Sequence, residues 1–236
     1  MCVQLESLRY IGQVDPVSRG AICNPMHLHT LHFRYSRSSE PPFVRFPASL
    51  TDLNVGYFAE TMIPMVRDLP GLRRLALCHT MLSKDEFNSL FAAGQLVDSL
   101  EHLELEIAWK PNMIEEEDTD SDGDTLPTLE APYGIIDTTT KVDLSYLQNL
   151  TFLSSTLAPI VLDLVPMLHT LGKLNKVAFH MTDKMDLTTP TVESMRYLME
   201  TKKELRVECF IHQDDGSHIC KQVQVPTDLD EILEDA

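Results

Sequence analysis

The feature that most restricts this chain is a spacing of apolar residues, apolar-x-x-apolar-x-apolar, that returns eight times. It reads LESLRY (Leu5, Leu8, Tyr10), LHTLHF (Leu28, Leu31, Phe33), LTDLNV (Leu50, Leu53, Val55), LRRLAL (Leu72, Leu75, Leu77) and LEHLEL (Leu100, Leu103, Leu105). It continues as LQNLTF (Leu147, Leu150, Phe152) and LNKVAF (Leu174, Val177, Phe179), and a degenerate eighth copy, KKELRV, keeps Leu205 and Val207. The copies start at 5, 28, 50, 72, 100, 147, 174 and 202, so the gaps are 23, 22, 22, 28, 47, 27 and 28 residues. The inner two apolar residues of each copy stand two apart, which places them on one side of a short strand.

Helical signals fill the spaces between copies. TMIPMVRDL follows the third. SKDEFNSLFAAGQL follows the fourth, with Ser83 as cap and Glu86 three residues later, the pattern of a capping box. Residues 156–171 and 190–201 follow the sixth and seventh. Pro64, Pro159 and Pro166 interrupt these stretches and predict irregular outer connections. A strand plus a short helix cannot bury its apolar face alone, but stacking against neighbours does so.

The copies resemble leucine-rich repeats, whose period is about 20–29 residues. Two of them run on in the longer family pattern: LRRLALCHTML to Thr80 and Leu82, and LQNLTFLSSTL to Ser155 and Leu157, with Thr or Ser where the family has Asn. The resemblance implies an α/β solenoid or horseshoe of about eight repeats, with parallel inner strands and outer helices. The expected division is a repeat domain over 1–225 with an acidic loop insertion at 111–130, then an acidic tail over 226–236. The one long gap holds the insertion, and LPTLEA (Leu126, Leu129, Ala131) within it is an alternative ninth copy. The first copy carries no polar cap, so its outer strand edge calls for a cover.

Composition narrows the functional classes. The formal net charge is −17, with 36 acidic and 19 basic residues. Eight of the acids lie between Glu115 and Glu130 and five between Asp228 and Asp235; setting these 13 aside leaves 23 against 19. Nucleic acid and anionic membranes attract basic surface, so neither is an expected partner. No stretch reaches the ~18 apolar residues of a bilayer span, and the N-terminus lacks the basic head and apolar run of a signal peptide. The five cysteines (Cys2, Cys23, Cys78, Cys209, Cys220) form no CxxC pair. An odd, sparse set fits a reducing compartment, so the expected location is intracellular, cytoplasmic or nuclear.

Chemical motifs are few. DTDSDGD (Asp118, Asp120, Asp122, Gly123, Asp124) resembles the opening of a calcium loop, but position 12 is Leu129 and Glu130 comes one late. A solvated acidic loop is the expected reading, with Thr119 and Ser121 in a context resembling acid-directed kinase sites. His27 and His29 share a face that His32 opposes, which suits no three-ligand metal site. HExxH, GxSxG, the phosphate-loop lysine motif and GxGxxG are all absent from the chain. No catalytic residue, metal or cofactor is therefore expected.

The residues flanking the inner apolar pairs are expected on the concave side. Those expected to meet a protein partner are Arg9, His32, Arg34, Asn54, Arg74, His102, Glu104, Glu106, Lys176 and His180. The sixth and eighth copies add Asn149, Thr151 and Leu153, and Glu204, Arg206 and Glu208. Among repeat proteins the copies resemble those of F-box/LRR-like proteins, whose repeats recognise the substrate of a ubiquitin ligase. An F-box is not part of the chain: Met1 is followed almost at once by the first copy, and VPTDLDEIL at the far end resembles only an F-box opening. The alternatives are a stand-alone scaffold and an uncharacterised α/β hydrolase.

Overall fold

The computed structural model describes residues 5–11, 27–34, 45–92, 94–110, 140–156, 160–181, 189–212 and 218–223. Nine strands form one sheet in chain order: β1 (Ser7–Ile11), β2 (Thr30–Arg34), β3 (Asp52–Gly56), β4 (Arg74–Leu82), β5 (His102–Trp109), β6 (Phe152–Thr156), β7 (Lys176–Met181), β8 (Arg206–His212) and β9 (His218–Val223). The first eight are parallel to one another. The α/β class is thus as expected, and each motif copy contributes one strand. β9 departs from the expectation. It pairs antiparallel to β8, Val207 opposite Val223 and His212 opposite His218, and closes the sheet with a reversed strand.

The inner apolar residues stack across the sheet in one register. Leu8, Leu31, Leu53, Leu75, Leu103, Leu153, Val177 and Val207 form one such row. Below it the chain turns into each strand in the same way. The carbonyl of Glu6 accepts the N–H groups of His29 and Thr30, and that of His29 those of Thr51 and Asp52. Thr51, Arg73, Glu101 and Thr151 repeat the arrangement toward the next copy. A ladder of this kind satisfies the backbone where it would otherwise be buried unpaired.

Helices cover one side of the sheet. A 3-10 turn (Glu60–Met62) leads into α1 (Ile63–Arg67); α2 (Lys84–Phe91) and α3 (Gln95–Ser99) follow β4; α4 (Ile160–Leu168) follows β6 and α5 (Thr189–Thr201) follows β7. Their apolar residues, among them Met62, Val66, Phe87, Leu90, Phe91, Leu96, Leu164 and Leu198, join the inner strand residues in one continuous core. Pro64 sits in the first turn of α1, where its missing N–H costs nothing, whereas Pro166 lies inside α4. The acidic segment 111–130, the tail 226–236, Thr119, Ser121, Cys2 and Cys23 lie outside the described residues.

The capping box forms as the sequence requires. The Ser83 hydroxyl accepts the Glu86 N–H at 3.1 Å, and the Glu86 carboxylate accepts the Ser83 N–H at 2.6 Å. Lys110, at the end of β5, reaches the other carboxylate oxygen at 2.5 Å. Burial pushes the Glu86 carboxyl up. The hydrogen bonds with Lys110, Ser83 and Glu60, together with the Lys110 charge, outweigh that and hold it below the ordinary carboxylate value. A carboxyl lowered on folding stabilises the fold above its unfolded value, and that contribution is lost as pH falls through the folded one. Glu86→Gln is expected to cost about 1 kcal/mol at neutral pH. Urea midpoints compared at neutral and acid pH should show the gap to wild type closing in acid. A gap independent of pH would exclude this linkage.

Candidate functional site

Among the described residues nothing covers the face opposite the helices, and alternation along each strand delivers the polar residues to it. Arg9 lies on β1, His32 and Arg34 on β2, Asn54 on β3 and Arg74 on β4. His102, Glu104 and Glu106 lie on β5, and Lys176 and His180 on β7. Register sorts them into rows. Arg74 is level with His102, and Phe152 with both His102 and Lys176. Arg9, His32 and Asn54 are level, as are Thr156 and His180. From β1 to β7 is six strand intervals, or about 29 Å at the usual spacing. The ten residues therefore form a surface, not one compact pocket.

Most of the charges on this surface are matched to a neighbour. Arg74 donates to Glu104 at 2.6 Å, and His79 Nδ1 lies 2.6 Å from Glu106. Lys176 and Arg206 hold Glu208 at 2.8 and 2.9 Å, and that carboxylate side chain is only 8 % exposed. His32 Nε2 lies 3.6 Å from Asp52, beyond hydrogen-bond reach, and this covered nitrogen has no hydrogen-bond partner among the described residues. Aromatic contacts add to the C-terminal half: His102 tilts against Phe152, Lys176 sits 5.5 Å over the Phe152 ring, and His180 stacks on Phe210 at 4.8 Å.

Two depressions divide the face. One of about 410 Å³ lies at its middle, lined by Cys78, Glu104, Glu106, Ser154, Thr156 and His180 together with Leu77 and Leu105. Burial pushes the Cys78 thiol up, Glu106 and Glu104 push the same way, and Arg34 opposes them. Cys78 is therefore a protonated donor, consistent with its contact to Asn54 Oδ1 at 3.8 Å, and not a ready thiolate. The other, about 210 Å³, brings Arg9, His32, Arg34 and Asn54 together. A larger opening of about 690 Å³ lies where Thr51, Arg73, Glu101 and Thr151 lead into the strands; of the residues expected on the concave side it holds only Asn149 and Thr151.

The rim just after β3 and across the irregular middle of β4, where the register shifts between Leu77 and Thr80, is not legible in the sequence. Tyr57 and His79, one residue beyond the level pair Gly56 and Cys78, both take left-handed backbone at φ 63° and 50°. Their rings meet at a tilt, 5.7 Å between centroids. Thr80, buried, accepts the Phe58 N–H at 3.1 Å and donates to the Cys78 carbonyl. A threonine thus makes the turn contacts at the position where the repeat pattern carries Asn.

Copy six needs correction. The expected flanking residues Asn149, Thr151 and Leu153 do not share the open face, since Leu153 is fully buried and level with Leu103 and Val177. Phe152, Ser154 and Thr156 stand there instead, and Ser155, also buried, takes an inner position level with Leu105 and Phe179. In copy eight Arg206 and Glu208 hold their expected side. Glu204 precedes the strand, and Phe210 takes the third place, level with His180.

Among the described residues, no group of three or more His, Cys, Asp or Glu is placed to hold a metal ion. His29 Nδ1 is instead within 3.0 Å of the Ser49 carbonyl. No described helix is long and apolar enough to cross a membrane. No family model, curated protein or solved structure matches the chain.

Proposed function

We propose that the chain is a leucine-rich-repeat solenoid whose open, concave face binds another protein. The observation that carries this reading is the extent of the face: polar and charged residues spread over about 29 Å of sheet, more than a small ligand needs. Its rows mix Arg, His, Glu and aromatic side chains, the residue types suited to forked ion pairs and stacking with a protein surface. The acidic composition favours a protein partner over nucleic acid. The reading assigns the chain no catalytic step and an intracellular place of work. Recognition of a ubiquitin-ligase substrate, as in F-box/LRR-type receptors, is the specific role we put forward.

The test compares faces. Tagged wild-type chain, a Glu104→Lys/Glu106→Lys variant, and a Glu193→Lys/Lys203→Glu control on exposed positions outside the open face are used to capture partners at mild salt. Wild type and control are expected to retain the same proteins, and the open-face variant to lose them. Capture that survives the open-face reversal, or no capture by wild type, overturns the reading.

A further inference from the structure

The charges of the open face do not all find partners. Arg74, Lys176 and Arg206 each meet a carboxylate, and His32 faces Asp52. Arg9 and Arg34 are exposed, and among the described residues neither is in an ion pair. Both line the smaller depression, of about 210 Å³, together with His32, Asn54 and Gly56. Asn54 adds donors there. Its carbonyl oxygen is taken by the Cys78 thiol, which leaves the amide N–H groups for a ligand.

Arg34 is held in place by what Gly56 lacks. A Cβ built on Gly56 would lie 2.7 Å from Arg34 Cγ and 3.1 Å from its Nε, so the arginine stem lies across the bare glycine. Packing of this kind reduces the freedom the side chain would lose on binding. Arg9 is level with His32, and Arg34 is two residues further along the neighbouring strand. Their Cα atoms are thus about 8 Å apart, from strand spacing and rise. Same-side residues of an extended peptide stand about 6.7 Å apart.

We propose that this end of the open face takes an extended segment of a partner protein with acidic side chains at alternate positions, one carboxylate to each guanidinium. The inference rests on the protein-binding reading and names the chemistry recognised at one end of that face. The depression accepts side-chain ends, not a folded surface. Each guanidinium fork matches one carboxylate, so the pair accommodates two carboxylates.

The full chain is titrated into a fluorescein-labelled peptide with glutamates at two alternate positions, and into its glutamine counterpart, by fluorescence anisotropy. The glutamate peptide is expected to bind at least about tenfold more tightly than the glutamine one. Arg9→Gln and Arg34→Gln should each cost about tenfold, and Lys203→Gln less than about twofold. Gly56→Ala, which changes no charge, should weaken binding by displacing Arg34. If that variant does not fold, the two exposed arginine variants decide. Equal affinity for both peptides, no loss in either arginine variant, no binding, or preference for a peptide with one phosphoserine in place of the pair overturns the inference. Partner capture that is lost in Glu104→Lys/Glu106→Lys but unaffected by Arg9→Gln and Arg34→Gln overturns it and leaves the protein-binding reading intact.

Discussion

Phe87→Ala is expected to lower the unfolding free energy by about 4 kcal/mol. Phe87 is fully buried on α2, meeting Phe91 edge-on at 4.9 Å and Trp109 at 5.6 Å with the rings nearly perpendicular. The contact ties the helix after β4 to the end of β5. Truncation removes the ring's transfer energy and leaves a cavity that the two aromatic neighbours fill only partly. Trp109 is the chain's one tryptophan, so its fluorescence reports the damaged region directly during urea unfolding. Each strand pairs only with its sequence neighbours, so a weakened centre should also lower the cooperativity of unfolding and reduce the urea slope. Phe87→Leu should recover more than half of the loss. A loss below about 1.5 kcal/mol for Phe87→Ala would mean that the site collapses freely and that this contact does not hold the two units together.

The second large effect concerns Glu208. Its carboxylate is nearly covered and is held by Lys176 and Arg206 from two adjacent strands. Replacing both cations with methionine leaves a buried charge uncompensated, and the expected cost is about 3 kcal/mol. Replacing Glu208 with methionine as well should restore most of it, because three apolar side chains need no pairing. Lys176→Met alone should cost less, since Arg206 still holds the carboxylate. Urea unfolding of the four proteins measures each step. A triple variant no more stable than the double would show that packing, not charge, sets the cost. The same geometry bears on function. Lys176, expected to meet a partner, already spends its charge inside the sheet, whereas Arg9 and Arg34 do not.

Legibility in the sequence followed the parity of the strand. For the first five copies and the seventh, the two inner apolar residues read from the motif are those that face the helices. In copy eight the frame moves by two residues, from Leu205 and Val207 to Val207 and Cys209 as the level pair. An even shift keeps every side chain on its side, so Arg206 and Glu208 remain where they were expected. In copy six the frame moves by three, from Leu147 to Leu150, and an odd shift exchanges the two faces. LTFLSS fits the motif nearly as well as LQNLTF, but its last inner position is Ser155, a polar residue that hid the correct frame. The reversed strand β9 was also missed. A parallel repeat gives no hint of it, although Asp215–Gly216 between β8 and β9 is a common hairpin dipeptide.

The amino-acid sequence by itself determined the α/β class, the order of the eight parallel strands and, for most of them, which side chains leave the core. It could do so because burial on a strand depends on a local period of two and stacking depends on a spacing repeated down the chain. Only the tertiary structure decided which charges on the open face are already matched. Pairs such as Arg74 with Glu104 and Lys176 with Glu208 lie on neighbouring strands, 30 and 32 residues apart, and no local pattern encodes them. The tertiary structure also placed Arg34 across Gly56 and left it, with Arg9, as charge without a partner among the described residues. Register between strands sets those distances, and register is a property of the assembled sheet.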